Sequence, residues 1–62
     1  MSTQAFQYLA KEIDQLRNDQ AVFLMGGGAK DFAEYRHLTG VITGLTSALE
    51  RLKDLRKHDE EI

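Results

Sequence analysis

Apolar residues recur at every third or fourth position over two long stretches of this chain, with a single break between them. From about Thr3 to Leu24 the series is Phe6, Leu9, Ile13, Leu16 and Phe23, with polar Gln20 completing it. Side chains three and four apart share one face of an α-helix, so this spacing predicts a helix of about six turns. Gln7, Lys11, Asp14 and Asn18 fall on the far side, leaving a narrow apolar seam suited to one main partner. Gln20 reads either as an end-of-core position or as a polar residue that sets register.

The second stretch predicts a helix from about Phe32 to Lys57. Tyr35, Leu38, Ile42, Leu45, Leu49 and Leu52 repeat at three and four, and Val41, Ala48 and Leu55 lie one strip over. The opposite strip, Arg36, Thr39, Thr43, Thr46, Glu50, Lys53 and Lys57, is polar and is expected to face water. This apolar arc is wider than one hairpin partner can cover, and the surplus points to self-association or to docking on another protein. The candidate interface is therefore Tyr35, Leu38, Gly40, Val41, Ile42, Gly44, Leu45, Ala48, Leu49, Leu52 and Leu55.

Between the helices, residues 25–30 contain Gly26, Gly27 and Gly28. Glycine adopts the left-handed conformation of a helix C-cap without a steric cost, so the first helix is expected to end there. Asp31 stands where an N-cap belongs, and Glu34, three residues on, completes a variant of the capping box. The predicted fold is all-α: an antiparallel two-helix hairpin forming one domain over 1–62, oligomeric because so small a chain buries too little surface alone. A rival local reading is a strand over 39–46, where Thr39, Val41, Ile42, Thr43 and Thr46 are β-branched. The unbroken period of three and four running into Leu49 and Leu52 favours the helix. At the far end Arg56 and Lys57 are spaced to pair with Glu60 and Glu61 along a helical tail.

Composition narrows the chemistry. With 8 basic and 10 acidic residues interspersed and a formal net charge of -2, the chain has no field that would steer it to a phosphate backbone. Nucleic-acid binding through Arg51, Lys53, Arg56 and Lys57 is disfavoured further by Asp54 and by Asp59, Glu60 and Glu61. Cysteine is absent, which removes disulfides and thiolate metal sites. No apolar run approaches a membrane span, and the start of the chain lacks the basic and apolar regions of a signal peptide, so the expected location is the cytoplasm or a particle assembled there.

Three candidate sites each have a plainer explanation. The triple glycine before a helix N-terminus has the look of an anion site, yet the phosphate-loop spacing is missing and Asp31 would repel an anion. Asp31, Glu34 and His37 lie along one edge of the second helix, where capping and exposure account for them. Gly40 and Gly44 form a small-xxx-small pair, which allows a second backbone to approach closely at a cost of about 1 kcal/mol of helix propensity each. No catalytic, cofactor or metal constellation stands out, and the expectation is a protein without enzymatic activity.

The run from Gly28 to Leu45 combines a glycine, the sequence Asp31-Phe32-Ala33-Glu34-Tyr35-Arg36, and paired glycines at Gly40 and Gly44 around Ile42. It resembles a pattern in short proteins of tailed bacteriophages, encoded among the head and portal genes. That resemblance implies a virion or particle-assembly component near the portal or head-to-tail junction, in the host cytoplasm or the virion. It makes Asp31, Tyr35, Arg36, Gly40 and Gly44 candidates for fold and interface. The expected function is structural: self-association through helix packing and docking on a larger capsid or portal protein. The alternative is a phage-encoded regulatory protein that binds and inhibits a host enzyme through the same apolar strip.

Overall fold

A computed structural model describes residues 3–61, with side chains as far as Asp59. The pairings expected of Glu60 and Glu61 lie outside the described side chains. Two helices make up the fold, α1 over Thr3–Met25 and α2 over Phe32–Glu61, packed side by side as a hairpin 47 Å long and 16 × 13 Å in section. Both run slightly beyond the expected ends, α1 to Met25 and α2 to Glu61. The alternating charges after Leu55 are compatible with helix on every side that faces water.

Residues 39–46 are helical, not a strand. The β-branched threonines are accommodated by turning their hydroxyls onto the helix itself: Thr46 Oγ1 donates to the Ile42 carbonyl at 2.8 Å and Thr39 Oγ1 to the Arg36 carbonyl at 2.9 Å. Such back-bonding satisfies the hydroxyl without a neighbouring strand.

The turn has well-defined chemistry. Gly27 donates to the Leu24 carbonyl at 3.1 Å and Gly28 to the Phe23 carbonyl at 2.9 Å, the paired bonds of a Schellman motif, and Gly27 carries the required left-handed φ of 81°. Gly28 has a different reason to be glycine. A Cβ there would meet the ring of Phe23 at 2.5 Å, so the aromatic ring lies directly over the bare backbone. At the start of α2 the Glu34 amide donates to Asp31 Oδ1 at 2.8 Å, which makes Asp31 the N-cap. The Glu34 carboxylate lies 3.9 Å from Lys30 Nζ, an exposed pairing that contributes little.

The core is thin. Phe6, Leu38 and Leu49 are the buried residues, at 4%, 8% and 4% exposure, and burying side chains of this size is worth about 1.5–3 kcal/mol each. Of the half-buried positions, Ala10, Ile13, Arg17, Gln20 and Leu24 on α1 and Ile42, Leu45, Leu52 and Arg56 on α2 continue the seam, while Ala21, Thr39, Val41 and Thr46 lie beside it and Glu34 lies in the first turn of α2. Both seam series alternate steps of four and three, the spacing of a coiled-coil seam. This differs from the expected seam of α1. Phe6 and Ile13 face α2 as anticipated, but Leu9, Leu16 and Phe23 do not, and their inward places are taken by Ala10, Arg17 and Leu24. Arg17 enters the seam by its alkyl stem and binds Asp14 through its guanidinium.

Gly27→Ala is expected to lower stability by about 1–2 kcal/mol, since the left-handed backbone penalises a Cβ. Asp31→Ala should cost about 1 kcal/mol through loss of the N-cap bond. Urea denaturation followed by circular dichroism at one fixed protein concentration measures both.

Candidate interaction face

The seam of a hairpin has two flanks, and here they are chemically opposite. Residues just after the inward positions Phe6, Ile13 and Gln20 form one flank of α1: Gln7, Asp14 and Ala21. The corresponding residues of α2, after Leu38, Leu45 and Leu52, are Thr39, Thr46 and Lys53. In an antiparallel pair these two sets lie on the same side of the seam. Asp14 and Lys53 do share one shallow depression there, together with Ala10, Lys11 and Leu49. That flank is polar.

The other flank consists of the residues just before Ala10, Arg17 and Leu24 on α1, and just before Ile42, Leu49 and Arg56 on α2. They are Leu9, Leu16 and Phe23, and Val41, Ala48 and Leu55. Each set repeats at intervals of seven, so each forms a continuous stripe, and the antiparallel geometry sets the two stripes side by side. Leu9 is 42% exposed, Leu16 53%, Phe23 52% and Leu55 52%; Ala48 is exposed and Val41 half-buried. Ala10 and Leu49 line the same depression and so lie near one another along the hairpin. This places Leu16 between the levels of Val41 and Ala48, and Leu9 between those of Ala48 and Leu55. The result is an apolar face running most of the length of the hairpin and open to water.

The candidate interface of α2 is therefore divided by the structure. Leu38, Ile42, Leu45, Leu49 and Leu52 face α1 within the hairpin, whereas Val41, Ala48 and Leu55 belong to the open flank. Tyr35 is 47% exposed and stacks on Phe32, with ring centroids 6.2 Å apart and 19° between planes. Gly40 and Gly44 are turned away from α1: a Cβ on either would meet nothing within 4 Å. They lie along a shallow groove on the back of α2 with Phe32, Arg36 and Thr43. Of the turn and cap residues, Gly26, Gly27 and Gly28 close the turn through their amides, and the Glu34 amide donates to the N-cap Asp31.

The sequence reading missed that Leu9, Leu16 and Phe23 form a stripe of their own. The available signal was their shared interval of seven. It was masked because the true seam beside it contains a small residue, Ala10, and a charged one, Arg17, which do not stand out in an apolar pattern.

Among the described residues no group of three or more His, Asp or Glu side chains is placed to hold a metal ion, and no described helix is long and apolar enough to cross a membrane. Comparison with protein-family models, with curated proteins and with solved structures finds no match for this chain.

Because Gly40 faces open space on the helix back, Gly40→Ala should stabilise the protein by about 1 kcal/mol. A rise in the urea midpoint at unchanged oligomeric mass is the expected result.

Proposed function

We propose that this chain is a non-enzymatic assembly protein whose activity is helix packing: it self-associates through the open apolar flank, and the resulting unit docks on a larger shell or portal-type protein of a phage particle. The observation that carries this reading is the flank of Leu9, Leu16, Phe23, Val41, Ala48 and Leu55. Neither flank is fully buried in the single hairpin, yet one is apolar throughout and the other is polar but for Ala21. Solvation alone gives no reason for that asymmetry. A surface stripe of leucine and phenylalanine this long is the mark of an interaction site.

The phage setting rests on the resemblance of residues 28–45 to short proteins of the head and portal gene region. A particle component also suits the rest of the chain, where most charged residues are exposed and backbone hydrogen bonds close the turn between the helices. The mechanism is passive. Apolar area leaves water on assembly, at about 25 cal/mol per Å², and no bond in any substrate is made or broken.

Light scattering over a dilution series tests the proposal. The wild-type protein should show a defined mass that is a multiple of the 7.0 kDa chain. Leu16→Glu should shift it to the single-chain mass while circular dichroism still reports helix, because an interfacial carboxylate would be desolvated without a partner. A wild-type protein that stays at 7.0 kDa at every concentration would remove self-association from the reading.

A further inference from the structure

We infer that the occupant of the open flank is a second copy of this chain, related by a two-fold axis parallel to the helices, so that α1 of each copy lies on α2 of the other and both turns sit at the same end of a four-helix bundle. This inference rests on the helix-packing reading above and specifies its partner and geometry.

Area gives the first argument. The chain exposes 4856 Å², whereas a folded monomer of its mass is expected to expose about 4,000 Å² by the usual scaling of surface with size. The excess is roughly 800 Å², the area each partner contributes to an interface of standard size. One further hairpin laid along the flank is of the right size to bury it. A two-fold contact also requires a self-complementary patch, and the flank supplies one: three apolar residues from each helix at matching intervals of seven.

Charge then distinguishes the possible arrangements. The outer edge of the flank on α1, one position further round the helix, carries Ala5, Glu12 and Asp19. The outer edge on α2 carries His37, Gly44, Arg51 and His58. One edge has two carboxylates and no cation; the other has an arginine, two histidines and no carboxylate. Two face-to-face packings have two-fold symmetry. If the turns lie at opposite ends, α1 packs on α1 and the two acidic edges meet, while Arg51 faces the edge that carries Arg51 in the other copy. If the turns lie at the same end, each acidic edge runs along an arginine-bearing edge.

The register supports the second packing in detail. With Ala10 near the level of Leu49, Glu12 of the second copy falls between the levels of Gly44 and Arg51. Asp19 of the second copy falls between His37 and Gly44. Leu16 of the second copy falls near the level of Gly44, where the missing side chain leaves room for the facing leucine. Neighbouring helices run antiparallel in either packing, as in up-down-up-down bundles joined by short loops, so charge and register carry the choice.

Spin labels at the turn decide between the packings. The chain has no cysteine, so Lys30→Cys gives a single attachment point at an exposed position. In the purified oligomer, pulsed electron paramagnetic resonance should give a distance within about 25 Å, as expected for turns on helices packed 8–10 Å apart. A distance near the 47 Å length of the hairpin would overturn the inference and leave the helix-packing proposal standing. A label that reports no second spin, in a protein that scatters as a single chain, would overturn both. Charge exchange provides an independent readout. Glu12→Arg should weaken association, roughly two- to fivefold for each exposed pair at low salt, and adding Arg51→Glu in the same chain should restore it. Tighter association of Glu12→Arg would indicate that acidic edges meet, and would overturn the same-end geometry.

Discussion

A helix can turn only one strip of its surface towards a single neighbour, and that limit organises this protein. Each helix carries more apolar surface than the strip its partner covers. In α1 the larger side chains are shared between two directions, with Phe6, Ile13 and Leu24 turned inward and Leu9, Leu16 and Phe23 turned to the flank. The seam between the helices then has to accept Ala10, Arg17 and Gln20. A seam with an arginine near its centre is a weak one, and the small buried core of Phe6, Leu38 and Leu49 follows directly. The thin core and the exposed flank are thus two results of one partition. Rotating α1 by about a sixth of a turn would bury Leu9, Leu16 and Phe23 against α2, at the expense of the contacts of Ala10 and Leu24.

Most of the fold was legible in the sequence because its signals were local. Glycine at a left-handed position, aspartate at an N-cap and a period of three and four are each determined within a few residues. The hairpin and its turn therefore agree with the pattern to within a residue at three helix ends and a turn at the fourth. What was not legible was the rotation of α1 about its own axis. The stripe through Phe6, Leu9, Ile13, Leu16, Gln20 and Phe23 and the stripe through Phe6, Ala10, Ile13, Arg17, Gln20 and Leu24 share three members, and hydropathy alone ranks the first above the second. Burial chose the second because α2 offers only one strip of contact. The surplus on α2 was visible in sequence as Val41, Ala48 and Leu55; its counterpart on α1 was hidden by being read as the seam itself.

The glycines show how one residue type serves unrelated physical ends in a short chain. Gly27 is favoured by backbone sign, and Gly28 leaves room for the ring that lies over it. Gly40 and Gly44 answer to neither requirement within the hairpin, since both open onto solvent along the back and edge of α2. Two glycines in a solvent-facing helix weaken it by about 2 kcal/mol together. α2 therefore depends on tertiary packing in its middle third, where Leu38, Ile42 and Leu45 hold it against α1. Its continuity is not secured by helix propensity.

Phe23 belongs to two systems at once. Its carbonyl accepts the Gly28 amide that closes the turn, and its ring covers Gly28, yet about half of the residue is exposed on the apolar flank. A molecule that shields the flank shields the ring as well, and a ring held in place holds the loop beneath it. The turn and the flank are consequently linked through one side chain: anything that packs on the flank packs also on the ring that covers the turn, without any residue changing its secondary structure.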